Sequence, residues 1–134
     1  MKVTRFRPKD DLIIVYGTVW GPLNTEGRPV RLVLDTGAGE TIIVPHVLDE
    51  IGYNPRQAEA ICVMRSAVGC EEGYLIRVER FAGLKHQSRD FRVHAQDLPD
   101  GWGVEVLIGL TFLRQFNYEV RSAEGRIRVE RVGA

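Results

Sequence analysis

Cysteine is nearly absent from this chain. Cys62 and Cys70 are the two in 134 residues, too few for a disulfide framework and outside any C-x-x-C or Cys/His zinc spacing. His46, His86 and His94 are scattered without partners at metal-ligating intervals. No metal or other cofactor is expected, and both thiols read as ordinary reduced cysteines, although a hairpin would bring them near each other. An excess of either charge is missing too: 18 Lys and Arg balance 18 Asp and Glu, so no global field draws the chain to nucleic acid or an anionic membrane. Arg121, Arg126 and Arg128 alternate with Glu124, Glu130 and apolar residues, as on solvated strand faces.

Long apolar runs are also lacking. None approaches the roughly 18–20 residues that span a bilayer. The opening M-K-V-T-R-F-R-P-K-D-D is charged, without the apolar run and cleavage site of a secretory signal, and a cytoplasmic protein is expected. There is no repeat and no low-complexity linker. The length fits one domain over residues 1–134, with a core modest enough that assembly would add useful burial.

What the chain does contain is a series of short β-type runs. Residues 12–20, rich in β-branched and aromatic side chains, end at Gly21-Pro22. A polar turn, Asn24-Thr25-Glu26-Gly27, leads into a returning strand over 28–34. Residues 41–44 read as a short buried strand, and Pro45 opens a helical turn that Gly52 ends. Residues 60–67 and 73–81 form a hairpin around a compact segment, 68–72. A strand over 90–95, an exposed loop over 96–103 and a strand over 104–108 follow. Apolar positions 110, 112, 113 and 116 have helical spacing, and 118–120 with 126–132 make a last hairpin. The expected class is mainly β with one or two short helices.

The informative segment is residues 32–45, L-V-L-D-T-G-A-G-E-T-I-I-V-P. Asp35 leaves an apolar strand, where a carboxylate is costly unless hydrogen-bonded or shifted in pKa, and Gly37 and Gly39 permit a tight turn beside it. An apolar strand ending at Leu107-Ile108-Gly109 faintly echoes the one ending at Asp35-Thr36-Gly37, without a second aspartate. Taken alone, Asp-Thr-Gly is also an ordinary turn composition. A phosphate loop fits poorly, because G-A-G-E lacks the lysine and spacing and sets Glu40 where phosphate would be repelled.

D-T-G-A after L-V-L, with L-I-G-L-x-F-L later in the chain, resembles the retropepsin-like, retroviral-type aspartic proteases. The resemblance implies a closed β-barrel of the acid-protease fold, active as a homodimer, since aspartic proteolysis needs two carboxylates and this chain supplies one. It gives Asp35 the catalytic role, Thr36 a hydroxyl that hydrogen-bonds across the dimer, and Gly37 and Ala38 the close backbone and small position beside the dyad. It makes Leu107, Ile108 and Gly109 the supporting segment, and the hairpin around Val68, Gly69 and Cys70 a flap over an extended peptide or protein substrate. The implied activity is peptide-bond hydrolysis. The alternative is a proteolytically silent dimer that binds peptides or organises an assembly. The chain departs from the family pattern in its long 96–103 loop, its flap sequence and its arginine-rich C-terminal hairpin.

Overall fold

The computed structural model describes residues 1–23, 26–66 and 69–132, with side chains described outside 62–72. Its strands and helices in chain order are β1 (Lys2–Arg5), β2 (Ile14–Trp20), β3 (Gly27–Leu34), β4 (Ile42–Ile43), α1 (Pro45–Ile51), β5 (Ala60–Ser66), β6 (Gly69–Gly83), β7 (His86–Ala95), β8 (Val106–Ile108), α2 (Leu110–Leu113), β9 (Phe116–Arg121) and β10 (Arg126–Arg131). A 3-10 turn, Pro55–Gln57, follows α1. The fold is mainly β, as the strand-rich composition requires.

Six strands close into a barrel in the order β2, β3, β8, β4, β7, β6, and β6 returns to β2 through Thr18↔Ala82, Val19↔Phe81 and Trp20↔Arg80. Closure removes the exposed edges that an open sheet would carry. β5 stands outside the ring as a hairpin arm on β6, with Ala60 opposite Leu75 and Ser66 opposite Gly69. Inside, Phe112 from α2 is fully buried and lies 5.3 Å, 5.7 Å and 5.2 Å, centroid to centroid, from Phe81, Phe91 and Phe116. Such pairs add about 0.5–1.5 kcal/mol each beyond the area they bury, and Phe112 anchors this short helix in the core together with the buried Leu113. Pro45 stands at the first position of α1, and Gly52, with φ of 106°, ends it as the sequence indicates.

Several elements differ from the sequence reading. The expected strand over 12–20 starts at Ile14, and the one over 90–95 starts at His86. Gly69 and Cys70, with Glu71 and Glu72, belong to strand β6 rather than to a compact connection, because β5 supplies a pairing partner for that whole stretch. Val68, like the turn residues Asn24 and Thr25, lies outside the described residues. The helical spacing through Phe116 overshoots: α2 stops at Leu113, and Phe116 reaches the core as the first residue of β9. An unforeseen strand, β1, pairs antiparallel with β10 and completes a three-stranded sheet, β1-β10-β9.

Candidate functional site

Two parallel strands deliver the site. β3 and β8 pair with Leu34 opposite Ile108, so the segments that follow, Asp35-Thr36-Gly37 and Gly109-Leu110, leave the barrel side by side. The Asp35 N–H donates to the Ile108 carbonyl at 3.0 Å, fixing where the carboxylate begins. Its side chain is half-buried, and Oδ1 accepts the Gly37 N–H at 3.0 Å. The Ala38 N–H closes the turn onto the Asp35 carbonyl at 3.2 Å. Thr36 and Gly37 are exposed, and Ala38 is half-buried.

A second layer of contacts holds the turn from behind. The Leu110 and Thr111 N–H groups donate to the Ala38 and Gly39 carbonyls at 2.8 Å and 3.1 Å. These are donors that the first turn of a helix cannot satisfy internally, so the site turn acts as the cap of α2. Gly109 is required by close approach: a Cβ there would lie 2.1 Å from the Glu40 carbonyl oxygen and 2.9 Å from that of Ala38. Leu107 and Ile108 are buried at 6% and 0% exposure, one beneath the site and one in the main core.

Thr41 and Thr111 complete this layer and were not singled out from the sequence. Thr41 is fully buried, its Oγ1 accepts from the Gly109 N–H at 3.2 Å, and its N–H donates to Thr111 Oγ1 at 3.0 Å. The signal available in the sequence was a threonine opening the I-I-V run, since a hydroxyl buried there needs partners. His94, buried on β7 beside Ile42, places Nε2 3.5 Å from Glu40 Oε2 at the end of the turn.

Beside the turn lies an apolar shelf. Val33, Ile42 and Leu107 form a cluster separate from the main core, with Leu12, Ala38, Leu98, Trp102 and Val104 packed against it. The long loop after β7 overhangs this shelf and encloses a groove of about 950 Å³, lined by Ile42, His46, Leu98, Trp102 and Leu107 among others. Gly69 and Cys70 pair with Ser66 and Arg65 on β5. The same register sets Cys62 opposite Gly73, so the two cysteines are not cross-strand partners. Among the described residues no cluster of His, Cys, Asp or Glu has metal-binding geometry, and no helix is long and apolar enough to cross a membrane.

A closed six-stranded barrel carrying an Asp-Thr-Gly turn buttressed by an apolar-apolar-Gly strand is the retropepsin-like architecture. Residues 22–115 match the family described as "gag-polyprotein putative aspartyl protease", and the chain belongs to that family. Among solved structures, a retropepsin-like aspartic protease from Rickettsia conorii superposes with a TM-score of 0.66 at 13% identity, over 95% of this chain and 87% of that one. The retroviral protease-like domain of Ddi1 from Leishmania major gives a TM-score of 0.59 at 16% identity, over 91% and 90% of the two chains. EIAV protease, in complex with an inhibitor, gives 0.50 at 19% identity, over 64% and 75%. No curated protein sequence matches the chain significantly.

Proposed function

We propose that this chain is an aspartic endopeptidase, and that two copies of Asp35 in a homodimer activate the water that attacks the peptide bond. The observation carrying this reading is the half-buried Asp35 carboxylate on a turn fixed by both Ile108 and Gly37, open to a neighbour on its Thr36 side. In the proposed mechanism one carboxylate of the pair takes a proton from water as general base, while the other, protonated, hydrogen-bonds the scissile carbonyl and stabilises the developing oxyanion. Two like charges about 3 Å apart do not both ionise readily, so the pair shares one proton and titrates as a unit.

The other residues take supporting roles. Thr36 donates across the twofold axis, Gly37 and Ala38 keep space for the partner turn, and Leu107, Ile108 and Gly109 brace it. The apolar shelf with Trp102 receives the substrate's apolar side chains, and the β5–β6 hairpin, with Gly69 and Cys70 near its turn, closes over its backbone. A twofold seam is available at β9, which pairs only with β10 among the described residues.

The test is peptide-library cleavage at mildly acidic pH by the chain and by Asp35→Asn. The amide keeps the shape but cannot take or share the proton, so cleavage is expected to vanish while the dimer persists. Undiminished cleavage by the pure variant refutes the mechanism. Peptide binding without cleavage by the unaltered chain assigns it instead to the silent, peptide-binding class.

A further inference from the structure

The groove along the Ile42–Leu107 shelf, which meets the Asp35 turn through Ala38, continues beyond the shelf. Gly101 lines both the Trp102 groove and a second hollow floored by Leu12 and Ile14, and Leu12 itself packs on the shelf. Asp10 and Ile14 are shared in turn with a third hollow, of about 350 Å³, ringed by Arg5, Arg7, Tyr16 and Arg31. Tyr16 and Arg31 are direct cross-strand neighbours on β2 and β3, and Tyr16 is 73% exposed. The Arg31 guanidinium reaches over Gly103, with Nη1 3.3 Å from where a Cβ on that residue would lie, so it joins the loop of the first groove to the third hollow.

The charges at this far end do not cancel. Arg7 faces Asp10 at 3.6 Å, whereas among the described residues Arg5 and Arg31 have no ion-pair partner. Glu105 accepts from the Arg31 backbone N–H and is claimed by the Arg28 guanidinium. Arg5 stands opposite Arg126, which Glu124 engages. Three arginines against one aspartate ring the third hollow around an exposed tyrosine, and Lys9 and Asp11 of the adjoining hollow offset each other, so this end is cationic on a chain of zero net charge.

We propose that this end is an extended subsite for acidic side chains, so that the preferred substrate is a peptide whose apolar segment lies on the Val33–Leu107 shelf and whose flank carries Asp or Glu toward Arg5 and Arg31. The proposal rests on the protease reading of the same groove. Because neighbouring hollows share Gly101 and then Asp10 and Ile14, an extended chain, advancing about 3.3 Å per residue, passes from one region to the other without a break. Guanidinium groups suit carboxylates, and Tyr16 offers a flat face beside them. Continuity with the apolar shelf favours a peptide over nucleic acid.

The test measures binding separately from cleavage. Fluorescent peptides sharing one apolar core, extended at either end by a glutamate, glutamine or lysine run, are titrated by anisotropy against Asp35→Asn protein. The glutamate extension at one end is expected to bind about threefold to tenfold tighter than glutamine, the range that a few exposed ion pairs supply. That gain is expected to disappear in the Arg5→Gln/Arg31→Gln variant. It should also disappear for the unsubstituted surface at about 1 M salt, where the screening length is about 3 Å. Equal affinity for glutamate and glutamine peptides, absence of binding, equal binding of a glutamate run lacking the apolar core, or stronger competition by a single-stranded oligonucleotide each overturns the proposal. Cleavage of the core by the unaltered chain without charge preference removes the subsite and leaves the protease. Charge-selective binding without cleavage upholds the subsite and removes the catalytic reading.

Discussion

Thr111 Oγ1 donates to Thr41 Oγ1 at 2.9 Å, joining helix α2 to the segment that leads away from the Asp35 turn. Because Thr41 also accepts from Gly109, one buried hydroxyl couples the two crossing segments of the site. Thr41→Val keeps the side-chain shape and strands two donors, so an equilibrium stability loss of about 1–3 kcal/mol in urea titration is expected. Thr36→Val, at an exposed position, should leave the single chain's stability nearly unchanged. It should weaken dimerisation, by about 0.5–1.5 kcal/mol for each hydroxyl bond lost. Equal effects of the two variants on the monomer would contradict this division of roles.

Gly109 and Gly39 give a sharper contrast. A methyl group on Gly109 meets the Glu40 carbonyl at 2.1 Å, whereas one on Gly39 meets nothing within 4 Å. Gly109→Ala is expected to lose about 1–3 kcal/mol or more as backbone moves apart. Gly39→Ala should stay within about 0.5 kcal/mol of the unaltered chain. Thermal unfolding of both variants checks the difference.

Tyr53 tests how α1 is held to the barrel. Its hydroxyl donates to the Trp20 carbonyl at 2.8 Å and accepts the Glu79 N–H at 2.7 Å. Tyr53→Phe is expected to cost about 1–3 kcal/mol, because a partly buried backbone donor loses its acceptor. Burial is the largest influence on this phenol and raises its pKa above the ordinary 10.0, against the opposing Glu79 N–H bond. A raised phenol favours the fold below about pH 10 and withdraws that support as pH climbs through the shifted value. The alkaline limb of the stability curve should therefore flatten in Tyr53→Phe.

His86 governs the acid side. Its ring lies 4.8 Å from that of Phe116, and its Nε2 is buried without a hydrogen-bond partner in the described structure. Burial first, then Lys2, Arg131 and the N-terminal amine, lower its pKa below 6.5. The folded state thus resists the proton that the unfolded chain accepts: this contribution is complete above about pH 6.5 and is lost as pH falls through the lowered value. Denaturation midpoints measured downward from neutral pH should decline less in His86→Phe. If the two curves run parallel, His86 has no part in acid sensitivity.

The barrel strands and the site turn were legible because their signals are local: alternating β-branched runs, glycine punctuation, and an aspartate emerging from L-V-L. β1 was not, since K-V-T-R is short and charged and acquires its strand conformation from β10 at the other end of the chain. Gly69 to Glu72 include a glycine and two glutamates, which are disfavoured in strands, yet pairing with β5 overrides composition, as cross-strand context commonly does. The helical period through Phe116 was real as a burial pattern and wrong as a helix, because the first residue of a strand can fill the same side of the core. Thr41 and Thr111, 70 positions apart, meet through the antiparallel pairing of β4 with β8, which long-range context sets and local sequence does not.

Subunit mixing tests whether two copies of Asp35 form one catalytic site. Increasing amounts of Asp35→Asn protein are added to a fixed amount of unaltered chain at mildly acidic pH, and peptide cleavage is followed after subunit exchange. Each mixed dimer carries one carboxylate and one amide, so activity is expected to fall toward zero as the variant captures the active chains. Activity that stays constant throughout the titration would show that each chain works alone, and would contradict the account.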